Sequence, residues 1–126
     1  MLTSTYAFSG LGVDDLNAAR DFYTGKLGLS IEDNGMGLAL QLPGGGTLFV
    51  YQSPSYEPAG YTVLNFVVED IEAAARELTD AGVELERYPG LPHDELGIVR
   101  GKDAQQGPDI AWFRDPSGNV LAILQN

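Results

Sequence analysis

His93 is the single histidine among 126 residues, and the chain has no cysteine. Histidine is the side-chain type that titrates near neutrality, so simple acid–base chemistry points first to His93, with the phenol of Tyr51 second. Asp94 and Glu95 follow His93 directly and are metal-ligand types. Consecutive residues of an extended chain face opposite ways, which argues against one ion shared by all three. Without cysteine there is no disulfide framework, thiolate metal site or thiol nucleophile. No nucleophile–base pair, phosphate loop or paired-carboxylate motif can be read. What remains is recognition: Phe49, Tyr51 and Trp112 offer aromatic faces, and Gln41, Asn65 and Arg114 offer hydrogen bonds. That combination suits a flat or conjugated small molecule.

Charge narrows the partners. Eighteen Asp and Glu against seven Lys and Arg give a formal net charge of −11. A nucleic-acid binder must neutralise phosphates, and this chain repels them; docking on anionic lipid is disfavoured for the same reason. A cationic small molecule is compatible with the balance, though acidity also serves plain solubility. No apolar run is long enough to span a bilayer, and the opening MLTSTYAFSG lacks the basic and apolar regions of a signal peptide, so a cytoplasmic protein is expected.

The elements that must position these residues come as a repeat. Val13-Asp14-Asp15-Leu16-Asn17-Ala18-Ala19 aligns with Val68-Glu69-Asp70-Ile71-Glu72-Ala73-Ala74, 55 residues on, and Gly28-Leu29-Ser30-Ile31-Glu32 with Gly82-Val83-Glu84-Leu85-Glu86. Each copy reads as strand, acidic cap, helix, glycine stop, strand. Leu16, Ala19, Phe22, Tyr23 and Leu27 recur at helical spacing behind Asp14 or Asp15; Ile71, Ala74, Ala75, Leu78 and Ala81 do so behind Asp70. Further strands are expected over 37–42, 47–52, 61–68, 109–114 and 119–124, by alternation and by turns such as Pro43-Gly44-Gly45-Gly46.

The fold class is therefore α+β, one domain over residues 1–126 made of two βαβββ modules, about 1–57 and about 58–126, with 53–60 as the link. Helices cover one face of the strands, over Leu38, Leu40, Leu42, Leu48 and Val50. The opposite faces form a concave mixed sheet, lined by Ala39, Gln41, Phe49 and Tyr51, then Val63, Asn65 and Val67, and by Trp112 and Arg114. The segment 88–106 is longer than an ordinary connection and is expected to act as a lid or binding loop, with 97–100 as a short strand inside it.

Val13-Asp14-Asp15-Leu16 with Phe22-Tyr23 and Leu27-Gly28-Leu29, Val68-Glu69-Asp70-Ile71 with Ala81-Gly82-Val83, and above all Phe113-Arg114-Asp115-Pro116-Ser117-Gly118-Asn119 resemble the vicinal oxygen chelate superfamily, the glyoxalase, bleomycin-resistance and dioxygenase-like fold. The resemblance covers almost the whole chain. It implies metal ligands at three positions, which here are Phe8, Val63 and Ala122, and none of these can donate to a divalent cation. No metal or other cofactor is therefore expected. Phe8, Val63 and Ala122 become lining of an apolar, aromatic ligand site.

Three function classes follow. The first is metal-free binding of a small, planar or aromatic molecule, similar to bleomycin-resistance sequestration. The second is a lyase, isomerase or oxidoreductase of the glyoxalase type, with His93 or Tyr51 as its acid–base group. The third is an interaction module with a filled pocket. Affinity without turnover selects the first, and activity lost to a chelator selects a metal-dependent form of the second. A homodimer is expected, because open sheet edges favour two-fold association.

Overall fold

Asp15 and Asp70 start the two helices in the same way. Each sits in extended backbone, and its Oδ1 accepts from the N–H three residues on, Ala18 and Ala73, at 3.1 Å in both cases. A glutamine from a distant strand completes each cap: Gln52 Oε1 accepts from Leu16 N at 3.2 Å, and Gln125 Oε1 from Ile71 N at 2.9 Å. These bonds satisfy N–H groups that the first turn of a helix leaves without partners. Of the two aspartates offered by the sequence, Asp15 is the cap.

The computed structural model describes residues 1–126, which divide into two compact units, Met1–Glu57 and Pro58–Asn126. In the first unit the order is β1 (Ser9–Val13), α1 (Leu16–Arg20), β2 (Ser30–Asp33), β3 (Leu38–Gln41) and β4 (Thr47–Gln52). The sheet runs β1-β4-β3-β2, with β1 parallel to β4 and the other pairs antiparallel. Leu38, Leu40, Leu48, Val50, Leu11 and Val13 are buried on one face together with Ala19, Phe22 and Tyr23 of the helical segment. Complete burial of a leucine or valine contributes roughly 1.5–3 kcal/mol, so this face is the main source of the unit's stability. Leu42, expected in that row, is only half-buried, because β3 ends at Gln41.

The first helix is not the single α-helix its apolar spacing suggests. After Arg20 the chain widens into a π turn over Asp21–Lys26, with Leu27 N bonded to Phe22 O. Thr24 donates its hydroxyl to Arg20 O at 2.6 Å, taking a carbonyl the α ladder needs. Phe22 and Tyr23, adjacent in sequence, are both packed inside, with ring centroids 5.1 Å apart at 89°.

The second unit runs β5 (Thr62–Val67), α2 (Ile71–Asp80), β6 (Val99–Arg100), β7 (Asp109–Arg114) and β8 (Val120–Gln125), in sheet order β5-β8-β7-β6. Its buried face joins Ala111, Phe113, Leu121 and Ile123 to Ile71, Ala75 and Leu78 of α2. The strand expected after the Gly82 stop is reduced to one bridge, Leu85 with Phe113, next to Glu86 N bonded to Trp112 O at 2.8 Å. Antiparallel pairing along β7 resumes only at Val99, opposite Ile110. The edge strand is thus interrupted by an excursion of the chain, and the 88–106 segment takes its shape from that interruption.

Asp94 holds the excursion. Its Oδ1 accepts from Leu96 N at 2.9 Å and Ile98 N at 2.8 Å, and its Oδ2 meets Arg100 Nε at 3.1 Å. Arg100 also reaches Glu72 of α2 and Asp109 of β7. Burial pushes the Asp94 carboxyl up, but the Ile98 and Leu96 amides and the Arg100 guanidinium outweigh it and hold the group below its ordinary 3.8. A lowered carboxylate stabilises the fold above its unfolded value, and that stabilisation is lost as pH falls through the folded value. D94N, which keeps an acceptor oxygen but removes the charge, is expected to cost about 1 kcal/mol at pH 7. The gap to wild type should hold down to about pH 4 and close below it. Urea denaturation at pH 7, 5 and 3 measures it; a gap that widens toward pH 3 would contradict this role.

Candidate functional site

The open face of the first sheet is aromatic because of two strand alternations in register. On β4, Thr47, Phe49 and Tyr51 face away from the buried Leu48 and Val50. On β1, Gly10 pairs with Phe49 and Gly12 with Tyr51, so the parallel neighbour puts no side chain beside either ring. A Cβ at Gly10 would stand 3.6 Å from Tyr51 Cε1, so the ring lies against bare backbone. Phe49 and Tyr51 stack with centroids 6.0 Å apart at 16°, and Phe8 meets Phe49 edge-on at 6.4 Å and 77°. Tyr6 extends the row, 6.2 Å from Phe8. Tyr6, Phe8 and Tyr51 are 76%, 57% and 39% exposed. Lone exposed aromatics are common, whereas contiguous exposed apolar patches are characteristic of interaction sites, which makes this row the candidate.

Beside the row is a depression of about 270 Å³ lined by Tyr6, Phe8, Phe49, Gln41 and Thr47, with Ala39 on its floor and Glu32 and Asn34 at its margin. Phe8, Gln41 and Phe49 were all expected on a ligand-facing row, and they meet here. Tyr51 joins through its stack on Phe49 and is not itself part of the lining. Tyr6, Glu32, Asn34 and Thr47 were missed. Tyr6 continues the alternation of Phe8 beyond the start of β1. Glu32 alternates with Ile31 on β2, a strand too short to show its inward face in sequence alone.

In the second unit the row is Asn65, Ala122 and Trp112, in register across β5, β8 and β7. Val63 falls at a shift in the β5 ladder between Thr62 and Leu64, and Thr62 is the residue registered with Val120. Trp112 Nε1 donates to Thr62 Oγ1 at 3.1 Å, a partner the sequence did not suggest. Ala122 is completely buried. Tyr88 and His93 pack on the indole, with centroids 5.5 Å and 6.3 Å from it. Arg114 is held by Glu86 and by the carbonyl of Gly118.

His93 has both ring nitrogens engaged. Nε2 accepts from Tyr88 N at 2.9 Å, and Nδ1, which must then carry the proton, lies 2.8 Å from Gly97 O. The imidazole pins the excursion of the chain and has no nitrogen left over for a ligand in this arrangement. A second depression in this unit, of about 480 Å³, is lined by Glu84, Glu86, Arg87 and Glu95 together with Thr79, Leu85 and Leu96, and has no aromatic wall.

The positions at which the resemblance implies metal ligands are a phenyl ring at Phe8, an isopropyl group at Val63 and a buried methyl at Ala122. None carries a donor atom. Nowhere do three His, Cys, Asp or Glu side chains come together in a geometry that could hold an ion. The residues present do not fit a divalent cation. No helix is long and apolar enough to cross a membrane.

Solved structures with the same arrangement of elements include the genomically encoded fosfomycin resistance protein FosX from Listeria monocytogenes, at TM-score 0.71 and 16% identity over 99% of this chain and 95% of that one. The oxidase ChaP-H2 gives 0.69 and 24% over 98% and 95%. An integron cassette protein from the mobile metagenome of V. Cholerae gives 0.63 and 23% over 99% and 98%. At these identities the likeness is one of fold. No curated protein sequence matches the chain. The α+β architecture of two helix-backed mixed sheets and the match of residues 5–123 to the family model agree: the chain belongs to the Glyoxalase/Bleomycin resistance protein/Dioxygenase superfamily.

Proposed function

We propose that the protein binds a small, planar or aromatic molecule without a metal, on the open aromatic face of its first sheet, and that it works as a homodimer. The observation that carries this reading is the contiguous row of exposed Tyr6, Phe8 and Tyr51 with half-buried Phe49, beside a depression of about 270 Å³. Aromatic walls supply area and stacking, and Gln41 and Thr47 supply hydrogen bonds that orient the ligand. The absence of donor atoms at Phe8, Val63 and Ala122 supports sequestration over metal-assisted chemistry. The commitment of His93 to backbone partners supports it further, since the sole imidazole is already in structural use. Association of two chains would shelter the edge strands β1 and β2 of the first sheet.

Calorimetric titration with a panel of planar conjugated compounds tests this. A saturable one-site isotherm is expected for at least one class. Phe8→Ala should weaken that binding about 2- to 10-fold, the loss of one stacked or edge-on ring contact. Binding indifferent to Phe8→Ala would remove this face from consideration. Conversion of the bound compound would move the protein to the enzyme class.

A further inference from the structure

Glu32, Ala39 and Phe49 stand in one row across β2, β3 and β4: Glu32 pairs with Ala39, and Ala39 with Phe49. Paired residues share a face, so a carboxylate and a phenyl ring flank a floor that is only a methyl group. With strands roughly 4.8 Å apart, the Glu32 and Phe49 backbones are separated by about 10 Å, room for one substituted ammonium head. Phe8 stands nearly perpendicular to Phe49, giving the space two adjoining aromatic walls, and Tyr6 extends the first of them. No lysine, arginine or histidine lines the depression. The neighbouring Asp33 is taken by Arg20, while Glu32 has no cationic partner.

Resting on the reading of this depression as a small-molecule site, we propose that its ligand is an organic cation, a quaternary or fully substituted ammonium carrying an aryl or alkyl group. Three properties of the site select that class. Aromatic faces attract a cation through their quadrupole. The methyl groups of a substituted ammonium bury apolar area against Phe8, Phe49 and Ala39, which a small hydrated ion cannot do. Glu32 supplies the counter-charge from the margin, where its own hydration is largely retained. The net charge of −11 adds a long-range attraction that works on any cation and carries no selectivity.

The test compares phenyltrimethylammonium with its neutral isostere tert-butylbenzene, by NMR or calorimetric titration of the full chain and of Glu32→Gln. Wild type should prefer the cation about tenfold. Glu32→Gln should reduce that preference to about two- or threefold, leave affinity for the isostere unchanged, and flatten the salt dependence of cation binding. Glu32 is an exposed strand-edge residue, so the variant is expected to fold; an unchanged melting temperature checks this. Equal affinity of wild type for both probes, or a preference unmoved by Glu32→Gln, overturns the cation assignment. If the isostere or a neutral planar compound still binds, the small-molecule reading survives that result. If neither probe nor any neutral planar compound binds, both fall together.

Discussion

Asp115→Ala is expected to destabilise the protein by about 3 kcal/mol and to lower its melting temperature by about 10 °C. Asp115 is 4% exposed, and its carboxylate organises the turn between β7 and β8. Oδ1 accepts from Ser117 N at 3.0 Å and Asn119 N at 2.9 Å, and Oδ2 accepts from Asn119 Nδ2 at 3.1 Å. Truncation removes the carboxylate that accepts from these three donors, two of them on Asn119, itself only 1% exposed. Each orphaned buried donor costs about 1–3 kcal/mol, and water entering past the exposed Pro116 recovers part of the sum. The first unit makes the same backbone turn without the carboxylate: Leu42 N bonds to Gly46 O and Gly45 N to Leu42 O, as Asp115 N does to Asn119 O and Gly118 N to Asp115 O. The side-chain cage is thus an addition to a turn that glycines can form alone. Asp115→Asn, which keeps one acceptor oxygen, should lose less than half as much. Thermal and urea denaturation of both variants decide the matter, and an Asp115→Ala loss below about 1 kcal/mol would show that the cage contributes little.

Gly37→Ala is expected to cost about 2–3 kcal/mol and to damage the proposed ligand binding as well. A Cβ at position 37 would lie 2.5 Å from the carbonyl oxygen of Val50 and 2.7 Å from Phe49 Cζ. The first contact is with backbone in the middle of β4 and can be relieved only by moving the strand. The second is with the ring at the centre of the aromatic row, which would have to rotate off its stack with Tyr51. Stability and affinity should therefore fall together. Adding Phe49→Ala to Gly37→Ala separates the two contacts: it relieves the ring clash but not the carbonyl clash. The double variant should lose less than the sum of the single losses. Stability of Gly37→Ala within about 0.5 kcal/mol of wild type would mean that β3 and β4 shift apart easily, and the geometry proposed for the Glu32, Ala39 and Phe49 row would lose its support.

The elements and their faces are local matters, and they were legible in sequence. Strand alternation has a period of two and needs only neighbours along the chain, so Leu38, Leu40, Leu48 and Val50 could be assigned to the buried face and Gln41 and Phe49 to the open one. Asp70 and one of Asp14 and Asp15 were recognisable as caps, because a cap bonds three residues ahead. The three-part motif and the internal repeat then pointed to the family, since repeat and motif are both one-dimensional patterns. Tertiary structure alone decided what depends on distant partners. Gln52 and Gln125 close helix ends 36 and 54 residues away, and nothing near them in sequence marks that role. The strand expected after Gly82 gives way to an interrupted edge, because Asp94, Arg100 and His93 hold the intervening chain by bonds that pay no regard to periodicity. Which aromatic ring shares a row with a carboxylate was likewise beyond alternation. Alternation assigns a side chain to a face, while the pairing of β2 with β3 and of β3 with β4 decides that Glu32 and Phe49 flank the same Ala39.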